Sequence, residues 1–215
     1  MPELSAMDEL NKPISEEIDF YAEYFGVMDL PDEEIEERIE LANKFETIFN
    51  FILALILADS KNEELQDKHY YTNILYTKYS NVVSAYYNGK YNDDEYVILI
   101  TEKHIDSIIE ETLINIHTEY YTSVTRSMNI SANESNSIAD YNQFVSMVDQ
   151  GYTKKVWKTT IDGKERKIHK DANNQTVNIQ EPFIVGGEQL MFPHDESLGA
   201  SEKNIIHCRC AAKYF

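Results

Sequence analysis

The sequence predicts an α+β protein, with an acidic helical region of about five helices over residues 1–150 followed by a small strand-containing domain over 151–215. Three observations lead there. Apolar residues recur at three-and-four spacing through the first part, which is the pattern of amphipathic helices. The second part holds the only tryptophan (Trp157), both cysteines (Cys208, Cys210), three of the six histidines and five of the seven glycines, spread among short β-branched runs and turn signals. Charge divides at the same place. Residues 1–150 carry 9 Lys and Arg against 30 Asp and Glu, a balance of −21, whereas residues 151–215 carry 10 against 8, a balance of +2.

Taken in order, residues 1–12 have no periodic apolar face and read as a loose arm. From Pro13 to Gly26, Ile14, Ile18, Tyr21, Tyr24 and Phe25 recur at helical spacing, with Ser15 as a cap. Pro31 opens a long helix running through Leu57, and Asp32, Glu33, Glu34, Glu36 and Glu37 crowd its start, where the helix dipole favours negative charge. Its later half is apolar on nearly every side and belongs at the centre of a bundle. A tyrosine-rich helix is expected from about Glu63 to Asn88, stopped by Asn88-Gly89. A fourth is expected from about Asp93 to Met128. The polar stretch Asn129 to Ser137 breaks the pattern, and Ile138 to Asp149 forms one more helix ending at Gly151. Beyond it, Lys155 to Ile161 reads as a strand entering a turn at Asp162-Gly163. Val177 to Val185 then supplies further strand, followed by Gly186-Gly187, Leu190 to Phe192 and Pro193.

Hydrophobic residues at 42% support a packed core. The acidic part repels nucleic acid and membrane surfaces, and the neutral to slightly basic part faces different partners. The longest uninterrupted apolar run, Phe51 to Ala58, is well short of the ~20 residues of a membrane span. Acidic and polar residues follow Met1, so no signal peptide is expected, and two cysteines one residue apart do not readily form an unstrained bridge. The 15 tyrosines fall mostly at helical spacing and are expected in the core. The acidic cluster from Asp32 to Glu40 has no calcium-loop spacing and reads as a solvated helix start.

Two chemistries use the residues of the second part. His169, His207, Cys208 and Cys210 are zinc-type ligands, with His194 nearby, and would make a zinc-fastened binding module. Cys-x-Cys alone is not a standard chelating spacing, so the expectation is no cofactor, with both cysteines packed as small side chains and Arg209 reaching a carboxylate or solvent. Alternatively His169 as general base, Arg166 as anion clamp and His207 as general acid would compose a metal-independent nuclease or toxin domain. The favoured expectation is non-enzymatic, with Asp162, Arg166 and His169 holding turns together.

The order of motifs is more specific than any one of them. Trp157, Thr159-Thr160, Asp162, Arg166, His169, Pro182-Phe183, Pro193 and Cys208-Arg209-Cys210 resemble the C-terminal domain of the phage Mu F-like minor head proteins, the head morphogenesis family that includes the SPP1-type minor capsid proteins. The chain departs at His207, where asparagine is usual, and His194 separates Pro193 from Asp195. Thr118-Glu119, placed within the fourth helix, is similar to the Thr-Glu step that precedes this domain, so the resemblance spans about residues 112–215. It implies a minor head protein acting in head morphogenesis near the portal vertex, in a virion or procapsid and in the host cytoplasm during assembly. Portal and capsid or scaffold proteins are the implied partners, with packaged DNA a further one through the C-terminal part and no membrane.

Overall fold

The computed structural model describes residues 15–91 and 93–215, and it is α+β: five long helices form one body, and short antiparallel strands with two short helices form the C-terminal part. The loose arm expected over 1–12, and the cap expected at Ser15, lie outside the residues and side chains described. Helix α1 is Ser15–Phe25, α2 Asp32–Lys61, α3 Lys68–Tyr86, α4 Glu95–Ile114 and α5 Val124–Asp149.

The helix starts follow local chemistry. Pro31 precedes α2, whose first turn holds Asp32, Glu33 and Glu34, mostly exposed as expected. The Asp67 carboxylate accepts the Tyr70 amide at 2.9 Å to cap α3, and Asp94 accepts the Val97 amide at 3.1 Å to cap α4. Helix α3 gives way at Asn88 and Gly89, both at positive φ. Phe45, Phe49, Ile52 and Ile56 of α2 are buried against Tyr71, Leu75, Tyr79 and Ile105, so these tyrosines are core residues, as their spacing predicts. A stretch of α2 is long and apolar enough, by length and composition alone, to cross a membrane, and here it lies within this helix pack.

The helix boundaries after α4 differ from expectation. Helix α4 ends at Ile114, a 3₁₀ turn spans Glu119–Thr122, and α5 begins at Val124 behind a Ser123 cap that accepts the Arg126 amide. Thr118-Glu119 therefore lies between helices rather than inside one. The stretch Asn129 to Ser137, expected as a break, is the interior of α5. Its polar residues point inward with partners. Ser131 donates to the Ser127 carbonyl at 2.7 Å, Ser127 to the Glu46 carbonyl, and the Asn136 side-chain oxygen accepts from Arg38 at 3.0 Å. Small satisfied side chains allow close packing, so a helix face can be buried without being apolar.

In the C-terminal part, β1 (Lys154–Thr159) is central in a sheet of order β2-β1-β5, with β2 at Thr176–Asn178 and β5 at Cys210–Tyr214. Register sets Trp157 opposite Ala212 and Thr159 opposite Cys210. Strands β3 (Phe183–Val185) and β4 (Glu188–Leu190) form a separate hairpin, whose two-residue turn Gly186-Gly187 has φ of +59° and +87°, the positive pair that a tight hairpin requires. Helix α6 is Lys167–Ala172 and α7 is Glu202–Ile205.

The two parts meet through apolar contacts, among them Phe192 against Tyr96, Tyr141 and Phe144, and through polar groups. Buried Arg38 of α2 donates to Asp140 of α5 at 2.6 Å, whose other oxygen stands 2.6 Å from His194 Nδ1. His104 lies between Glu134 at 2.7 Å and Glu196 at 3.0 Å. Burial alone would push that imidazole down, but the two carboxylates override it and hold it up at about 10.

Asp140→Asn leaves Arg38 charged and buried without its counter-ion, so urea unfolding should reveal a loss of about 3–5 kcal/mol. Lys44→Ala, which removes an exposed pair with Glu40, should leave the urea midpoint nearly unchanged by comparison. A second prediction concerns pH. Because the folded His104 value lies above its ordinary 6.5, its contribution is fully present below pH 6.5 and is lost as pH rises through about 10. The stability gap between the native chain and His104→Asn should therefore narrow over that window, and a gap that widened with pH would contradict the assignment.

Candidate functional site

The sequence-distant motif residues form one packed cluster. Trp157 of β1 is fully buried, with its ring edge-on to Phe183 at 5.3 Å and to His169 at 6.0 Å. Its indole nitrogen donates to the Thr159 hydroxyl at 3.0 Å, which in turn donates to the His169 carbonyl at 2.7 Å. Asn173 caps the strand end by accepting the Thr159 amide. This chain of bonds fixes α6 on β1.

His169 projects from α6 toward the segment leading into β5. Its Nδ1 is 3.5 Å from Cys208 Sγ and 3.3 Å from Cys210 Sγ, and all three ligand atoms lie within 4.8 Å of one another. All three residues are at most 2% exposed. His169 Nε2 is buried with no hydrogen-bond partner among the described residues. Burial, then the neighbouring Cys210, push the Cys208 thiol well above its ordinary value. Hydrogen bonding with Cys208 is the largest influence on Cys210, and with the His169 ring and the Thr159 hydroxyl it outweighs burial and holds this thiol down at about 5.

The cysteine segment is held both from the helical side and from within the C-terminal part. The Cys208 carbonyl accepts from His194 Nε2 at 2.8 Å, the Tyr24 hydroxyl at 3.2 Å and the Asn136 amide at 3.4 Å. Arg209 makes a two-pronged pair with Asp162 at 2.6 and 3.0 Å, so it does reach a carboxylate, and this pairing lowers the Asp162 value.

The other expected site residues divide. His207 is exposed at φ +54°, its amide donates to Asn133, and its ring stands outside the group formed by His169, Cys208 and Cys210, so the four-ligand set including His207 is not assembled. The reason is the left-handed backbone at this position, which starts the segment turning before Cys208. Partial desolvation of the ring against its neighbours, then Arg166, push the His207 value down although the residue as a whole is exposed. His194 is engaged by Asp140 and Cys208 rather than by the sulfurs. Arg166 precedes α6 and donates to the Ile206 carbonyl. Pro193 is buried beside His194, Pro182 is half-buried beside the buried Phe183, and Thr118 and Glu119 are exposed. Arg166, His169 and His207 do line one pocket, whose volume of about 20 Å³ admits a single water.

Sequence reasoning missed the clamp of Tyr24, Asn136 and His194, and missed Asp140 behind it. Asn136 fell inside the expected break, where no helical pattern pointed to it. It missed likewise the His104, Glu134 and Glu196 network, which borders a second cleft of about 220 Å³ between α4, α5 and the segment before β5.

Compared with known proteins, the chain matches no family model, no curated protein and no solved structure. Fold and site define an α+β protein whose small strand domain buries an imidazole and two thiols beneath a polar clamp from a helical body.

Burial predicts how the thiols behave. Both cysteines are free and should resist an aromatic disulfide reagent in the folded chain, with two thiols per chain titrating after denaturation. Prompt reaction of either in the folded chain would contradict the site as described.

Proposed function

We propose that this chain is a minor head protein of a tailed phage or prophage, acting in head morphogenesis at the portal vertex. One observation carries the reading. Trp157, His169, Phe183, Cys208 and Cys210, which resemble the head-protein motifs in their order along the chain, also share one buried cluster, while Asp162 pairs with Arg209 at its edge. Motifs that meet in a core support a domain defined by its packing, which is the role of a structural component. The strongly acidic helical part offers a complement to basic surfaces of portal, capsid or scaffold proteins. Packaged DNA is a partner only for the C-terminal part, whose charge balance allows it. Such a protein resides in the procapsid or virion and passes through the host cytoplasm during assembly.

The nuclease alternative draws on the pocket shared by Arg166, His169 and His207. A general base must reach its substrate within hydrogen-bond distance, and His169 is buried with its Nδ1 facing two sulfurs. The geometry therefore favours the structural reading.

The test is sedimentation of procapsids and virions from the source phage or induced prophage, probed with an antibody to this chain. Co-sedimentation with procapsids, virions or both is expected, and absence from the two kinds of particle would end the proposal.

A further inference from the structure

We propose that His169, Cys208 and Cys210 hold one zinc ion, with the fourth coordination position left to solvent from the adjoining pocket. The inference does not depend on the head-protein reading, and it departs from the expectation of no cofactor because the sequence could not show how the three side chains meet.

Distances argue first. A tetrahedral ion with bonds of about 2.3 Å to sulfur and about 2.1 Å to nitrogen separates its sulfur and nitrogen ligands by about 3.6 Å. His169 Nδ1 lies 3.5 Å from one sulfur and 3.3 Å from the other, so both nitrogen–sulfur separations already match those around an ion to within a few tenths of an ångström, and all three ligand atoms lie within 4.8 Å of one another. Donor chemistry argues second. Imidazole and thiolate are the ligand types of zinc, and carboxylates, which would suit magnesium or calcium, are absent from the group.

The unfilled valences argue third. A buried imidazole ordinarily has an oxygen or nitrogen partner, yet Nε2 of His169 has none and Nδ1 meets only sulfur. Coordination at Nδ1 gives that nitrogen a strong bond in place of two weak ones. Preorganisation argues fourth. The Cys208 carbonyl is fixed by His194, Tyr24 and Asn136, the His169 carbonyl by Thr159, and Cys210 by its ladder position opposite Thr159. Such outer contacts hold ligands where a metal needs them. The pocket beside the group, lined also by Thr160, Lys164 and Arg166, has room for about one water, which supplies the fourth ligand.

The experiment uses the full chain, expressed with zinc in the medium, purified without chelator under reducing conditions and analysed for metals. About one zinc per chain is expected. After stripping, titration of the folded chain with cobalt(II) should produce the intense near-ultraviolet absorption of cobalt bound to thiolate, competed away by zinc. Cys208→Ser, Cys210→Ser and His169→Ala should each lower zinc affinity by at least about tenfold, on the order of the effect of losing even an outer-shell partner. His207→Ala should bind as the native chain does. The proposal is overturned if the native chain, folded and with both thiols reduced, carries no zinc and gives no cobalt–thiolate absorption, an outcome that needs no variant to fold. Loss of metal in His207→Ala would overturn the three-residue assignment.

Discussion

The carbonyl of Cys208 is a point at which several of the bonds joining the two parts of this molecule converge. Two donors from the helical part, Tyr24 and Asn136, converge on it with His194 of the C-terminal part, which is backed by Asp140 and through it by Arg38. Burying a guanidinium and a carboxylate carries a desolvation penalty of several kcal/mol per ion, which is offset only when geometry is good and further hydrogen bonds are made. Here Arg38 also reaches the Asn136 backbone and side chain. An apolar contact of similar area would permit many docking angles, whereas this chain of directed bonds permits one. It also sustains backbone that non-glycine residues adopt uncommonly, since His194 and His207 have φ of +67° and +54°.

Such a join explains the composition of α5. A helix between two bodies must satisfy groups on both sides, and serines, Asn136, Glu134 and Asp140 do so where leucines would not. Glu134 serves both directions, accepting from the Tyr79 hydroxyl in the helical core and meeting His104, which continues to Glu196 in the C-terminal part. The opposite charge tendencies of the two parts are used at the same boundary, where Lys213 of the C-terminal part pairs with Asp29 of the helical part. Most of the remaining described acids are exposed, which keeps the net charge of −19 compatible with a packed interior.

Legibility in the sequence follows from the range of the forces involved. Apolar periodicity and helix-end chemistry are local, so α2, α3 and the start of α4 could be read from Pro31 with its acidic first turns and the apolar run to Leu57, from Asn88-Gly89, and from the pattern that begins near Asp93. Turn chemistry is local too, and Gly163 and Gly186-Gly187 adopt the positive φ that their turns need. The continuity of α5 could not be read, because Asn136 looks like a loop residue until Arg38, 98 residues away, is known to lie opposite it. In the site, residue types pointed to His169, Cys208 and Cys210, but the exclusion of His207 depends on one backbone conformation and a bond to Asn133, 74 residues away. The clamp on Cys208 spans up to 184 residues and leaves no local trace.

The size of the C-terminal part gives the buried cluster its physical significance. About 65 residues with strands of three to six residues enclose little apolar surface, and units of this size commonly need a staple such as a metal, a disulfide or a partner surface. The helical body supplies the partner surface: Ala211 of β5 packs with Tyr21 and Phe25 of α1 and Ala132 of α5. That contact secures one face of the sheet. On the other lie Trp157, Phe183 and Leu190, with His169 and the two sulfurs completing a core whose polar members touch chiefly one another. Filling those positions with apolar side chains would have sufficed for packing alone. Three metal-type ligands, converging from α6 and from the clamped segment before β5, are instead what a small domain would use to tie a helix to a strand that its short hydrogen-bond ladder cannot secure alone.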